Sequence, residues 1–258
     1  MKISKQGPKL LAACMLLVLS RGLEAGPPFL TDDPETLEKR HGEFYLASQA
    51  HWSRSSKDIT LPHGEVNYGL MSDFQLHLIM PLHHVQEEGE RKQYGYGDTE
   101  FGVKFRFLKE SSYIPMAGIF PLVEIPTGDK EKGLGNGKAQ YLLPLWLQKR
   151  WGRWSSYGGG GYWINPGEGN KNYWVCGWQG QYDFLPALSL GAEVFYSGPG
   201  EEDGESLTVF NLGAVLNFGE AHHLLLYAGR SLRGPKGYLA FIAYQLTAGW
   251  TDRKGSDE

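Results

Sequence analysis

The residues able to do chemistry are few, and their spacing works against most sites. The chain has eight histidines and two cysteines. His83-His84 and His222-His223 carry the side chains of metal ligands, but neighbours in an extended strand point to opposite faces, so neither pair can close on one ion. His77 and His83 share a face yet stand about 20 Å apart at roughly 3.3 Å per residue. Asp32-Asp33 would attract a hard cation, although two carboxylates fall short of the roughly six to eight oxygens of a Ca²⁺ site. Gly158–Gly161 has the composition of a phosphate cradle, but no Lys-Ser/Thr follows and no helix begins there. Glycines in a strand more often mark a bend or the close approach of another backbone. No Gly-x-Ser-x-Gly elbow occurs. A hydrolase stays open as the alternative, because nucleophile and base can lie far apart in sequence. The residues call for no metal and no cofactor, and none takes a catalytic assignment.

The opening of the chain reads as an address. Lys2, Lys5 and Lys9 precede an apolar run from Leu10 to Leu19, and a small residue follows at Ala25. That is the layout of a cleaved secretory signal peptide over 1–25, too short for a spanning helix of roughly twenty apolar residues. Leu11-Ala12-Ala13-Cys14 resembles a lipoprotein processing box, but the six residues after Cys14 stay largely apolar where a mature lipoprotein turns polar. Four of the 25 basic residues and one of the 29 acidic residues lie in this leader, which leaves 21 against 28, a net charge near −7. Nucleic acid is thereby disfavoured as a partner. Only Cys176 would survive cleavage, so no intrachain disulfide or cysteine-rich metal site forms.

The elements that must position everything else are strands. Segments of about ten residues with alternating character recur near 43–52, 61–69, 73–83, 98–107, 114–125, 139–151, 154–164, 172–184, 188–197, 207–218, 222–231 and 238–250. Phe101, Val103, Phe105 and Phe107 share one face while Glu100, Gly102, Lys104 and Arg106 share the other. Phe210, Leu212, Ala214, Leu216 and Phe218 likewise oppose Asn211, Gly213 and Asn217. A soluble barrel or sandwich would bury the apolar faces. A membrane barrel turns them to lipid.

Two features favour lipid. The links after odd-numbered segments read long and polar and those after even-numbered segments mostly tight, as expected of outer-membrane barrels with short periplasmic turns. Phe107, Trp151, Phe184, Phe218 and Trp250 each end an even-numbered segment in phase with its apolar face, forming a girdle where amphipathic rings favour a membrane interface. Closure also removes the unpaired strand edges that hydrocarbon forbids. The reading is therefore an all-β, transmembrane, antiparallel up-and-down β-barrel of about twelve strands over 43–250 in a bacterial outer membrane. Residues 26–42 form a periplasmic segment or a lumen plug, and 251–258 a polar tail. Its surroundings would be outer-membrane lipids, the outer-membrane assembly machinery that reads the last strand, and a small-molecule solute. Gln75, His77, Glu100, Lys104, Arg106, Gln148, Gln179, Gln181, Glu193 and Asn211 project inward and would line the solute's path. A purely structural or adhesive barrel, its interior charges simply paired, is the second alternative.

Several stretches carry a resemblance. Gly26-Pro27-Pro28-Phe29-Leu30-Thr31-Asp32-Asp33-Pro34-Glu35 followed by Phe44-Tyr45, Gly97-Asp98-Thr99-Glu100-Phe101-Gly102, Glu124-Ile125-Pro126-Thr127-Gly128-Asp129, Gly133-Leu134-Gly135-Asn136-Gly137 and Gly158-Gly159-Gly160-Gly161-Tyr162-Trp163 resemble a bacterial outer-membrane transporter family named after the meta-pathway of phenol degradation. The resemblance spans nearly all of 26–250. It implies an outer-membrane channel for small solutes, aromatic or otherwise apolar.

Overall fold

The structure, a computed structural model, describes residues 28–249. The leader with its cleavage after Ala25, the tail 251–258 and Trp250 of the girdle lie outside the described residues.

Alternation at period two yields strands, and each pairs with its neighbours in sequence, up and down. They are β1 (His41–Ser53), β2 (Ser56–Met71), β3 (Phe74–Glu87), β4 (Gln93–Tyr96 and Thr99–Leu108), β5 (Met116–Ile119 and Leu122–Ile125), β6 (Gln140–Trp151), β7 (Trp154–Ile164), β8 (Tyr173–Leu185), β9 (Leu188–Ser197), β10 (Leu207–Asn217), β11 (His222–Arg233) and β12 (Gly237–Gly249). The sheet closes because β1 pairs with β12 along its whole length, His41 opposite Gly249 and Ser53 opposite Gly237. Twelve strands are therefore reached as expected. Apart from one 3₁₀ turn at Lys130–Lys132, the described residues contain no helix.

β4 and β5 are each broken once, for reasons visible in the residues. Both pieces of β4 pair with β3, separated at Gly97-Asp98, where the Gly97 N–H still donates to Pro81 O at 2.9 Å. β5 breaks at Phe120-Pro121: a proline has no N–H for the ladder, and Phe120 turns inward to 5 % exposure. Pro62 is accommodated within an irregularity of β2 between Thr60 and His63.

The loop pattern departs from the expectation in part. At the end away from residues 41 and 249, the connections 126–139, 165–172 and 198–206 are long. After β1, however, only 54–55 intervene, and after β11 only 234–236. At the opposite end the connection after β4 runs over 109–115, longer than a tight turn. Periodic apolar residues stop at the edge of the hydrocarbon, whereas a hydrogen-bonded ladder continues into water. β2 has 16 residues against the roughly 9–11 that a bilayer requires.

Inside and outside are inverted relative to a soluble protein. Leu46, Phe105, Leu143, Leu190, Leu212 and Ile242 are exposed on the outer wall, Leu212 at 59 %. Phe107, Trp151, Phe184 and Phe218 are exposed towards one end of the barrel, and Tyr141, Trp174 and Tyr238 are exposed towards the other. The inward positions hold buried polar groups: Asn67, Gln75, His77, Lys104, Gln148, Gln179, Glu193, Asn211, Gln245 and Thr247. A continuous apolar exterior of this kind is incompatible with water and suits a bilayer.

Candidate functional site

The lumen is crossed by the chain's own residues 28–38. The segment enters beside the turn end of β2, where the Arg40 N–H donates to Gly69 O at 2.7 Å. The Leu37 N–H donates to Gln75 Oε1 at 2.9 Å. Glu35 Oε2 accepts from Arg150 at 2.8 Å and from Gln148 Nε2 at 3.2 Å, both on β6. Lys104 on β4 places its Nζ 2.8 Å from Asp32 Oδ1, 3.7 Å from Asp33 Oδ1 and 5.0 Å above the Phe120 ring. At the far wall Glu193 on β9 accepts from the N–H groups of Leu30 and Thr31 and from Asn211 Nδ2 at 2.6 Å. An extended segment without a sheet partner must find bonds for its buried N–H groups, and side chains of the wall provide them.

Glycines shape the seat. Gly191 and Gly213 face each other across β9 and β10, and the Phe29 ring lies on both. A Cβ on Gly213 would stand 2.6 Å from that ring. Thr31 sits against Gly177 so closely that no side chain would fit there. Burial pushes the Asp33 carboxyl up to about 7, with Lys104 acting in the opposite direction.

Beside and above the segment the lumen holds a chamber of about 1240 Å³. Its two sides differ. β1–β4 contribute Glu43, Glu65, Asn67, His77 and Glu100, linked by hydrogen bonds: His77 Nδ1 lies 2.7 Å from Asn67 Oδ1 and Nε2 lies 2.8 Å from Glu100 Oε1, while Tyr45 donates to Glu43 at 2.8 Å. β5–β9 contribute Phe120, Leu122, Leu142, Trp146, Val175, Trp163 and Phe195 as one packed apolar cluster.

The long-loop mouth is held by polar knots. Asp98, in the break of β4, accepts from the N–H groups of Gly128 at 2.8 Å and Asn136 at 2.7 Å. Thr127 Oγ1 donates to Gly97 O at 2.8 Å and accepts from the Thr99 N–H at 2.9 Å. Loop 126–139 is thus folded inward, with Leu134 only 2 % exposed. Asn165 joins this loop to its neighbours through Asn136 at 3.2 Å and Gly200 O at 2.8 Å.

Of the ten inward residues expected along a path, Gln75, His77, Glu100, Lys104, Arg106, Gln148 and Gln181 line the chamber. Arg106 is tied to Asp73 in the β2–β3 turn, Nε to Oδ1 at 2.7 Å. Gln179, Glu193 and Asn211 are placed differently: all three are buried at 0–1 % exposure, with Glu193 and Asn211 beneath the N-terminal segment. Strand phase speaks only to the side of the wall a residue takes and is blind to what lies against it. The apolar cluster has no polar residue to mark its inward positions in the sequence. Phase alone would have found Trp146, two residues from Gln148, and Phe195, two residues from Glu193. The Gly158–Gly161 run makes room for rings on both faces of β7: Trp178 packs on Gly158 outside and Trp146 on Gly159 inside. His83 and His84 are separated as expected, His83 lying 3.9 Å from Asp58 and His84 against Tyr94.

No family model matches the chain, and no curated protein matches it. Solved structures do. An outer membrane channel from Pseudomonas putida F1 superposes with a TM-score of 0.66 at 18% identity, covering 84% of this chain and 98% of that one. The KdgM porin gives 0.56 at 10% identity, covering 78% and 98%. The translocator domain of autotransporter NalP from Neisseria meningitidis gives 0.54 at 11% identity, covering 80% and 88%. At these identities the likeness is one of fold, and the chain has the architecture of the outer-membrane β-barrel.

Proposed function

We propose that this chain is an outer-membrane channel for small solutes, closed at rest by its own residues 28–38. The observation that carries the reading is the 1240 Å³ chamber with one hydrogen-bonded polar side and one aromatic side, interrupted by a segment held through side chains. A barrel that served only as a wall would gain most by filling its interior with packed side chains. The aromatic side suits solutes with an apolar or aromatic body, in keeping with the resemblance to the transporter family of phenol degradation. Passage is passive. Of the seven chamber-lining residues above, Gln75, His77, Glu100, Lys104 and Arg106 form the polar side of the path while Gln148 and Gln181 rise from β6 and β8 opposite, and the last strand, β12, is the element that the assembly machinery would read. The leader over 1–25 and its removal belong to the same proposal.

Planar-bilayer recording tests this. Purified protein should give small, infrequent currents, and deletion of 28–38 should give larger and steadier ones. Well-folded protein that conducts in neither form would refute the channel and favour an outer-membrane hydrolase or an adhesive barrel. Turnover of a lipid or peptide, or loop-dependent binding to a partner, would then tell those two apart.

A further inference from the structure

Two cations interrupt the apolar outer wall at the long-loop end. Arg230 on β11 stands directly opposite Tyr238 on β12, Tyr238 opposite Trp52 on β1, and Trp52 opposite Lys57 on β2. Residues directly opposite in antiparallel strands share a face, and Tyr238 is in phase with the outward Ile242, so all four side chains project from the outer wall. All four are exposed. The Trp52 and Tyr238 rings are stacked, centroids 6.1 Å apart and planes inclined by 28°. Three strand spacings of roughly 4.8 Å put the backbones of Arg230 and Lys57 about 14 Å apart, one at each side of the ring pair.

The protein leaves this row open. Among the described residues neither Lys57 nor Arg230 makes an ion pair or a side-chain hydrogen bond. The two links above the row are the short ones of this end: Arg54-Ser55 after β1 and Gly234-Pro235-Lys236 after β11, which add two cations and no acid. Across the mouth the link 198–206 carries Glu201, Glu202, Asp203 and Glu205 and no lysine or arginine. The ring pair on that side, Tyr162 with Trp174 at 4.8 Å, has Leu143 for its register neighbour on β6. One side of this end is therefore basic with a flanked aromatic platform, and the other is acidic with a platform that has no flanking cation.

The level of the row decides its partner. Tyr238 is one of the rings exposed towards this end, where amphipathic aromatics favour the boundary between hydrocarbon and headgroups. In outer-membrane barrels the long-loop end faces outwards. Lysine and arginine at such a level lay their stems along apolar neighbours and keep their charged heads among the headgroups. Those heads offer the donors that phosphate takes, and a stacked Trp–Tyr pair offers a flat apolar surface for the C–H face of a sugar ring. We propose that Lys57, Trp52, Tyr238 and Arg230 form a seat for a phosphorylated glycolipid of the outer leaflet, its sugars lying over the two rings and a phosphate meeting the cation on each side. The seat belongs to the outer wall and does not depend on conduction through the lumen.

Native mass spectrometry of the purified barrel in detergent with EDTA tests it. The probes are bisphosphoryl lipid A, monophosphoryl lipid A and phosphatidylethanolamine. Bisphosphoryl lipid A should bind about fivefold more tightly than the monophosphoryl form, as for one basic residue beside an anionic lipid, and phosphatidylethanolamine most weakly. Lys57→Gln and Arg230→Gln should each lower the affinity for bisphosphoryl lipid A about fivefold, and Trp52→Leu should weaken both forms of lipid A. Lys138→Gln, in the loop across the mouth, and Trp174→Leu, in the unflanked ring pair, should leave it unchanged. Should Arg230→Gln fail to run as a folded barrel in unheated detergent gels, Lys57→Gln, beside the β1–β2 turn, gives the same reading. Equal affinity for all three lipids overturns the seat. So does an equal loss in Lys138→Gln, which would mean general surface charge, and so does displacement of lipid A by millimolar inorganic phosphate, which would mean a site for the free anion.

Discussion

The two sides of the lumen are built from strands of the same barrel and hold their contents by different physics. The β1–β4 side is a ladder of polar partners, Glu43 with Tyr45, Asn67 with His77, His77 with Glu100, and Lys104 with Asp32. The β5–β9 side is an apolar cluster in which Trp146 is 3 % exposed. Hydrogen bonds and ion pairs are directional, so the first side accepts only groups that complete its valences. Dispersion and water release are not directional, so the second side accepts any apolar shape that fits. The N-terminal segment engages the polar side through Asp32, Asp33 and Leu37, while its Phe29 lies on the glycine floor of β9 and β10 against a separate apolar cluster of Val209, Tyr227 and Leu239. A side fitted by partners discriminates, and a side fitted by shape tolerates.

The largest effect expected on this contrast is in the apolar side itself. Trp146→Ala should cost about 3–5 kcal/mol of barrel stability, as for large-to-small changes at a buried aromatic, measured by urea unfolding in detergent. A loss below about 1 kcal/mol would mean that the cluster is loosely filled and that the two sides differ less than stated.

Lys104→Met attacks the polar side. It leaves Asp32 and Asp33 facing a low-polarity wall, and the segment should lose about 2–3 kcal/mol of docking free energy, less than for a fully buried pair because the Asp32 side chain is 26 % exposed. The segment can leave, so the barrel should stay folded while proteinase K cleaves residues 28–38 faster. Unchanged cleavage would show that Phe29 and Glu193 suffice to hold it.

Gly213→Val sharpens the other anchor. Its Cβ would meet the Phe29 ring at 2.6 Å, and overpacking of this kind costs about 1–3 kcal/mol. Single-channel currents should become larger in Gly213→Val than in wild type. Identical currents would place the restriction elsewhere along the lumen.

The smallest expected effect is on pH. Burial raises the Asp33 carboxyl, so the docked segment binds a proton that the free segment releases from about pH 4 upward. The Asp33 contribution to docking is therefore fully present in acid and is lost as pH rises through neutrality. Protease sensitivity of the segment should increase between acid and mildly alkaline buffer, and Asp33→Asn should flatten the profile. A steeper protection at high pH would show that Lys104, and not burial, governs Asp33.

Much of the barrel was legible because a strand writes its environment at period two. Phe101, Val103 and Phe105 against Glu100, Gly102 and Lys104 determine which face meets lipid, and the in-phase Phe107, Trp151, Phe184 and Phe218 determine where one interface lies. Twelve alternating segments separated by turn residues determine the strand count. Those facts are local, each contained in ten consecutive residues. The contents of the lumen are not local. Alternation gives Glu193 a face of its strand, yet only the closed barrel brings Leu30 and Thr31, more than 160 positions away, onto its carboxylate. Gly97-Asp98 and Thr127-Gly128 stand out in the sequence as separate stretches, and only the tertiary structure makes one the clasp of the other. The pairing of Glu100 with Glu124 likewise depends on the register of two strands. Side-chain alternation is dictated by backbone geometry residue by residue, whereas which residue fills a neighbour's empty valence is decided by the closure of the whole sheet.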